Sequence, residues 1–313
     1  MKVSPSEVSF IQKGIEHNIR TDGRSRVDYR HFSLESGEIV HSNGSARLKL
    51  SDTEVLVGVK AEITQINKEN NNASGNNINV NKRLIFNVDC CPSASPEFEG
   101  KGSEFLNIEL AQQLDRLYSH PNVIVGLYNT NDNTKYDPPT ATTTADDNEN
   151  SNNSSLTIVP NKYYWTLYID AIVLDSDGNL FDALSIATRA ALFNTRLPKI
   201  KAIQGEYEEI TFEVNDDPFD TLSIDIKNVP ICVTMTKIAS QFVIDTTTRE
   251  ELCMDARLTI GVNSSSNICS IQKGGISGLD PPTINQMINT AKVVGLKILS
   301  TMDQALLDIQ LLK

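Results

Sequence analysis

Apolar side chains stand at every second position in three stretches of the first third of the chain, residues 46–50, 55–61 and 84–88. A period of two is typical of strands that bury one face and expose the other. Residues 51–54 are all polar and suit a tight connection between the first two stretches. The pattern therefore predicts a hairpin of two half-buried strands, followed by a third strand.

The N-terminal residues carry the signals of a helix start. Ser4 and Glu7 have the spacing of a capping box, and Pro5 stands where proline is favoured in a first helical turn. Apolar residues three and four positions apart follow as far as Ile15. We predict a short helix that ends near Asn18.

Three more segments have the 3.6-residue period of a helix. Residues 104–118 are amphipathic, whereas residues 180–196 are rich in Ala and apolar on more than one face. The second of these is predicted to be a buried helix that ends before Pro198. A C-terminal helix is predicted after Pro282, with an apolar stripe at Ile284, Ile288, Ala291, Val294 and Ile298.

The remaining strands fall on both sides of a predicted linker near residues 199–205. Before it, residues 163–174 (YYWTLYIDAIVL) predict one long strand. Each half of the chain is thus a set of strands followed by a helix, which indicates the α+β class. The strands predicted after the linker are residues 208–214, 222–226, 231–238, 242–244, 257–262 and 267–273.

Two polar segments interrupt the first half. In residues 64–82, eight of nineteen residues are Asn, and in residues 129–155, twenty of twenty-seven are Asn, Thr, Asp or Ser. Such segments bury too little apolar surface to offset the conformational entropy that ordering costs. We expect disordered surface insertions, and not domain boundaries, because strands resume on either side.

The formal net charge of −12 and the pI of about 4.8 argue against a free-standing, non-specific nucleic-acid binder. An acidic chain can still line one wall of a channel whose basic residues come mostly from partners. The five cysteines include no Cys-x-x-Cys pair, so we expect neither a zinc site nor a disulfide framework. Without an apolar leader or a long apolar run, the chain is expected to be soluble and intracellular.

Residues 96–103 outline a phosphate-binding loop that has the wrong charge. Glycines before a helix N-terminus can present backbone N–H groups to an anion. This loop offers Lys101 and no arginine, and Glu97, Glu99 and Glu104 flank it.

Four aspartates surround the junction between the long strand and the Ala-rich helix. A Mg²⁺ or Ca²⁺ site is one interpretation, but their spacing does not match a calcium loop. Turn and helix-capping chemistry is the other, since Asp-Gly-Asn is a turn signal and acids suit a helix N-terminus. We expect no metal here; the residues are Asp170, Asp175, Asp177 and Asp182.

Residues 20–24, 43–63, 96–100 and 177–194, taken in order, resemble the RNase PH family. Within it, the chain looks like the non-catalytic RNase PH-like ring subunits of the RNA exosome. The resemblance implies an RNase PH fold of ribosomal-S5-domain-2-like topology, with mixed sheets backed by helices. It also implies partners, namely other RNase PH-like ring subunits, cap subunits and single-stranded RNA threaded through a central channel.

The same resemblance implies an organisation and a location. Residues 1–24 would form an N-terminal helix and charged turn, residues 25–200 a first RNase PH domain that carries both Asn-rich insertions, and residues 201–313 a second domain with the C-terminal helix. Members of such a complex act in the nucleus, the nucleolus and the cytoplasm. No membrane association and no cofactor are implied.

Phosphorolysis requires arginines that offset clustered phosphate charge. Active family members carry them at the start of the helix that opens here at residues 102–104, and again after an Asp-Gly turn, here residues 179–182. This chain has none at either place. Asp245 and Glu251, six residues apart, match a catalytic carboxylate pair only in part. We therefore predict a non-catalytic chain, with a phosphorolytic exoribonuclease completed by a partner's arginines as the alternative.

Arg116 is the candidate for RNA contact, with Lys101 as a weaker one. In the archaeal counterpart, two basic residues that line the RNA path resemble positions 112 and 116, and here the first is Gln112. A second interpretation is equally open, in which Arg116 is a solvated side chain paired with Glu109 or Asp115.

Overall fold

The computed structural model describes residues 3–65, 82–120, 123–132, 134–136, 156–159, 162–204, 210–215, 217 and 219–311. The helices of this part of the chain are α1 (Pro5–Glu16), α2 (Gly102–Leu117), α3 (Leu180–Asn194), α4 (Thr248–Glu251) and α5 (Pro281–Leu311). Its strands are β1 (Phe32–Ser36), β2 (Gly44–Leu50), β3 (Thr53–Gln65), β4 (Leu84–Cys90), β5 (Leu127–Asn129), β6 (Thr157–Val159), β7 (Tyr163–Asp175), β8 (Arg196–Pro198), β9 (Ile200–Gln204), β10 (Ile210–Val214), β11 (Thr221–Ile224), β12 (Ile231–Ile238), β13 (Gln241–Ile244), β14 (Ala256–Val262) and β15 (Ile268–Gly275).

The helix α1 begins where its capping signals predict. Ser4 Oγ accepts a hydrogen bond from the backbone N–H of Glu7 at 3.3 Å. Ile11 and Ile15 are buried against apolar residues of β12 and β13, in a small cluster of their own. The predicted N-terminal helix is confirmed.

The largest sheet has the strand order β1-β2-β3-β7-β4, with β6 beside the start of β7. β2 and β3 form the predicted hairpin, in which Leu50 lies opposite Thr53. β7 pairs antiparallel with β3 and parallel with β4, so the sheet is mixed. The inward-facing residues of the hairpin are fully buried, namely Ala46, Leu48, Leu50, Val55, Val57 and Val59.

The helix α3 lies inside the core, as its apolar faces predict. Every residue from Phe181 to Leu192 is buried, and the helix packs against β2, β3 and β12. Its end and β2 approach so closely that a Cβ on Gly44 would collide with Thr195. The helix ends at Asn194, two residues before the predicted end, because the chain continues directly into β8.

The second large sheet is antiparallel, in the order β13-β12-β14-β15. The helix α5 packs on β12 and β14 and buries a stripe centred on Met287, Ala291 and Ile298. Three residues that the pattern placed in the stripe are only partly buried, namely Ile284, Ile288 and Val294. One apolar cluster includes residues of both large sheets, so the two halves share a core. In the described part of the chain, no helix is long and apolar enough to cross a membrane.

Short strands account for the main differences from the sequence prediction. The predicted linker at residues 199–205 is wrong, because β9 occupies most of it and pairs with β10. β5, β11 and β8 form a further small sheet. The strands β1, β5, β6 and β8, each of three to five residues, were not predicted.

The two predicted insertions lie mostly outside the described residues. β3 extends to Gln65 and β5 includes Asn129, so strands reach into the predicted ends of both segments. The disorder predicted for residues 66–81, 133 and 137–155 falls outside the part that the structure describes and stays a prediction. The α+β class, with mixed sheets backed by helices, is confirmed.

Candidate functional site

The loop before α2 has the acidic surface that its sequence predicts. Phe98 anchors the loop in the core, and Gly100 has a left-handed backbone (φ 67°). Lys101 takes the N-cap position of α2 but makes no capping hydrogen bond with its side chain. Glu99 and Glu104 are exposed on either side of it. A phosphate at this helix start would meet two carboxylates and one lysine.

Arg116 lies on the exposed face of α2, near its C-terminal end. Its two predicted acidic partners are engaged elsewhere, since Asp115 Oδ2 lies 2.6 Å from Lys82 Nζ and Glu109 Oε1 lies 2.9 Å from an Arg257 nitrogen. Among the described residues, no hydrogen bond or ion pair joins Arg116 to either acid. The predicted pairing of Arg116 is therefore wrong, and its contact with RNA stays a prediction.

Asp245 lies at the end of β13 and is fully buried. Its Oδ1 accepts hydrogen bonds from the guanidinium of Arg30 at 2.8 Å and from Asn179 Nδ2 at 2.7 Å. Its Oδ2 accepts from Arg24 at 2.9 Å and from the backbone N–H of Arg30 at 2.8 Å. Both carboxylate oxygens are thus saturated by donors of the same chain.

The charges and hydrogen bonds around Asp245 favour the ionised form of its carboxylate. Burial alone would raise the pKa of Asp245, but the hydrogen bonds and charge of Arg30 outweigh it and hold the pKa below its ordinary value. The Arg30 guanidinium also donates to the backbone carbonyls of Asp177 and Gly178, so each of its nitrogens has a hydrogen-bond partner within the chain. Asp245 cannot take up a proton or a metal ion unless these arginines move.

A second buried ion pair fixes the same loop. The Arg20 side chain donates to both carboxylate oxygens of Glu250, at 2.9 and 2.5 Å, and to the backbone carbonyls of Ile244 and Asp245. Glu250 also accepts from the backbone N–H of Thr247, the N-cap residue of α4, as the N3 residue of a capping box. The segment that follows α1 is therefore clamped onto the loop that carries Asp245.

The turn before α3 meets this loop from the other side. Gly178 and Asn179 both have a left-handed backbone, which confirms the turn predicted by Asp-Gly-Asn. The side chain of Asn179 does not cap α3, however, because it points inward to Asp245 and Asp182. The backbone N–H of Asn179 donates instead to Glu251 Oε1 at 2.7 Å. Asp245 and Glu251, matched only by their spacing in the sequence, thus meet at one residue.

The four aspartates at this junction separate in the structure. Asp170 is exposed on β7, whereas Asp182 is fully buried and accepts hydrogen bonds from the Thr234 backbone and hydroxyl and from Tyr29. Burial raises the pKa of Asp182 to about 7, although these hydrogen bonds act in the opposite direction. Within the described part of the chain, no group of three His, Cys, Asp or Glu side chains is arranged to hold a metal ion.

An open cleft of about 650 Å³ lies beside this network, lined by Arg24, Arg30, His31, Lys49 and Asp52 among others. Arg24 and Arg30 form part of its wall, but their guanidinium groups point to Asp245. From the sequence, residues 20–24 were assigned as a charged turn and as part of the family resemblance, and Arg30 was not selected. Four arginines within residues 20–30 were the available signal.

The chain matches two family models and full-length relatives. Residues 28–198 match the RNase PH model described as 3′ exoribonuclease family, domain 1, and residues 228–294 match domain 2. The chain is 68% identical, over 98% of its length and 99% of the relative, to a Dictyostelium discoideum protein named putative exosome complex exonuclease RRP42. It is 33% identical to the exosome complex component Rrp42 of Thermococcus gammatolerans, over 87% of this chain and 85% of that protein.

Solved structures agree on the fold. An Archaeoglobus fulgidus exosome with RNA bound to the active site contains a chain that superposes with a TM-score of 0.66 at 24% identity, over 94% of this chain and 96% of that one. An archaeal exosome core gives 0.64 at 22% identity, over 95% and 96%. With both family domains matched in order and a full-length relative at 68% identity, the chain belongs to the RNase PH family.

Proposed function

We propose that this chain is a non-catalytic subunit of the exosome core ring. It supports 3′-to-5′ RNA processing and degradation by forming part of the channel through which RNA threads. The observation that carries the proposal is the full-length likeness to a protein named as an exosome component, which covers 98% of this chain and 99% of the relative. The net charge of −12 supports a subunit that works among basic partners rather than a free RNA binder.

The proposal that this chain is non-catalytic rests on where its arginines stand and which groups they bind. Residues 96–104 and 177–182 contain no arginine, so neither place where active members hold phosphate carries a guanidinium. The arginines close to Asp245 neutralise that carboxylate instead. Stabilising the charge that develops in the transition state is usually the largest catalytic contribution, and the guanidinium groups nearest to Asp245 are already paired with it.

The partners are other RNase PH-like ring subunits, together with cap subunits. β13 and β15 are the outer strands of the second sheet. The edge of β15 is suited to pairing with a neighbour, whereas the backbone N–H of Ile244 in β13 already donates to Arg26 O. We propose a first domain at residues 25–200 and a second at residues 201–313, which the two family matches support. Nucleus, nucleolus and cytoplasm are the proposed compartments.

For RNA contact we propose Arg116, with Lys101 in a lesser role. The side chain of Arg116 is exposed, and the acids beside it on α2 are bound to other cations. Its charge is therefore available to a phosphate.

The alternative function is a phosphorolytic exoribonuclease whose arginines come from a partner. Two observations favour keeping it. The 68% identical relative is named an exonuclease, and Asp245 and Glu251 converge on Asn179. This reading requires Arg30 to leave Asp245 in the assembled ring.

The test is assembly and activity on the same samples. The chain is purified alone and with candidate RNase PH-like partners, its mass is measured by light scattering, and RNA shortening is measured with and without phosphate. We expect the samples with partners to have the mass of a ring. We expect phosphate-dependent RNA shortening not to require the carboxylates of this chain. Activity that is lost in Glu251→Gln or Asp245→Asn rings of normal mass, and retained in the exposed control Asp170→Asn, would establish the alternative.

A further inference from the structure

One face of α2 combines two cations, an amide and two exposed apolar side chains. Lys101, Phe105, Ile108, Gln112 and Arg116 recur every three or four residues, so they lie along the same side of the helix. Leu110, Leu114 and Leu117 occupy the opposite side and are buried.

Phe105 is the unusual member of this face. Its side chain is 79% exposed and that of Ile108 is 57% exposed, whereas Phe98, seven residues before Phe105, is buried. Leaving an aromatic ring in water forfeits the free energy that burial provides. In the described part of the chain, no other aromatic ring stacks on it.

The surrounding charges determine what can cover this ring. Glu104 directly precedes Phe105, and Glu99 is exposed in the loop before α2, so these two carboxylates weaken the attraction of a phosphate to Lys101 at this end of the helix. An uncharged base is not repelled by these carboxylates, and every base has a flat face that stacks on an aromatic ring. At the other end, Arg116 is available for the backbone, roughly 16 Å along the helix axis from Phe105.

A protein partner fits the same face less well. The buried centres of protein interfaces are depleted in charged residues and large enough to exclude water. Here the apolar area consists of Phe105 and Ile108, with the exposed Glu104 directly before Phe105 in sequence and Lys101 one turn away. That area matches one base rather than the core of a subunit interface.

We propose that Phe105 is a base-stacking residue for single-stranded RNA, on the same helix face as Arg116. The inference rests on the proposed function, because it requires that RNA passes α2. Stacking on an aromatic ring does not depend on base identity, so Phe105 adds affinity without sequence preference.

The experiment measures binding of a fluorescein-labelled uridine homopolymer to the assembled ring in phosphate-free buffer, by anisotropy, at several salt concentrations. The variants are Phe105→Leu, which keeps an apolar side chain without a π-face, and Phe105→Tyr, which keeps the π-face. Arg116→Ala serves as the phosphate-contact comparison. Ring mass is checked for each variant, and for Phe105→Ala, by light scattering.

We expect Phe105→Leu to weaken binding by about 5- to 150-fold with an unchanged salt slope, and Phe105→Tyr to bind like the unmodified chain. Arg116→Ala should reduce the salt slope by roughly 0.7. If Arg116→Ala weakens binding and Phe105→Leu does not, stacking is wrong and the RNA path stands. If neither weakens binding, the RNA path along α2 is wrong as well. If Phe105→Ala rings fail to assemble, Phe105 belongs to a subunit contact and the stacking proposal is overturned.

Discussion

Asn179 Nδ2 donates a hydrogen bond to Asp245 Oδ1 at 2.7 Å, and both residues have a left-handed backbone, with φ of 53° and 49°. Left-handed geometry costs roughly 1–2 kcal/mol per L-residue, least for Asn and Asp, and persists only where the surroundings enforce it. Here the surroundings are the arginines that hold Asp245 and the glutamate that holds the Asn179 backbone. The carboxylate that the sequence matches in part to a catalytic pair is thus held in an internal ion network.

Removing the Arg30 side chain should destabilise the fold strongly. Asp245 would keep only Arg24 as a charged partner, and breaking a buried ion pair typically costs about 3–5 kcal/mol. We expect Arg30→Ala to lower the free energy of unfolding by that order in a denaturant titration. The matched control is Arg47→Ala, which removes an exposed pair with Glu54 and should stay close to the unmodified chain.

The double variant Arg30→Ala, Asp245→Asn tests whether the unpaired charge of Asp245 causes the loss of unfolding free energy. It should recover part of the loss, because the uncompensated buried charge disappears. An equal or larger loss would show that packing, and not charge, accounts for the effect.

Asp182 should make the fold less stable as pH rises toward neutrality. Burial raises its pKa from 3.8 to about 7, so the folded state binds the proton more tightly than the unfolded state. The contribution of this proton to the free energy of unfolding is complete below about pH 4 and is lost as pH rises through about 7. It amounts to at most about 4 kcal/mol. Unfolding free energies measured across this range should fall less steeply in Asp182→Asn. Parallel pH profiles for the two proteins would contradict the assignment.

Asp245 should act with the opposite sign and in a more acidic range. Its pKa is lowered in the folded state, so its contribution is present above the ordinary value of 3.8 and is lost as pH falls through the lowered one. We expect acid unfolding monitored by circular dichroism to be less steep in Asp245→Asn than in the unmodified chain. The exposed variant Asp170→Asn should leave the acid limb unchanged.

Gly178 should not tolerate a side chain. Its φ is 79°, and a Cβ there would lie 2.7 Å from both Thr246 O and Thr248 N. Gly23 has a similar φ of 82° with open space around it, so Gly23→Ala bears only the conformational cost, about 1 kcal/mol. Gly178→Ala should lose clearly more in melting temperature than Gly23→Ala, and equal losses would refute the close approach.

Sequence patterns predicted the elements whose cause is local. The N-cap at Ser4, the alternation in β2 and β3 and the apolar faces of α3 each reflect neighbours on the same element, and all three are confirmed. β9 was misread as a linker because its partner β10 lies outside its own sequence window. The five residues of β9 are identified as a strand by that pairing.

The residue pattern along the chain is enough to assign the α+β class and to show which charged groups are missing from the start of α2. Period-two and period-3.6 patterns specify strands and helices, and residue identity alone shows that no arginine stands at the start of α2. Which groups the remaining arginines bind is visible only in the folded structure. Arg30 and Asp245 are 215 residues apart in sequence, and only folding of the N-terminal segment onto the second sheet brings them within 2.8 Å. Electrostatic interactions depend on distance in space, which no sequence pattern records.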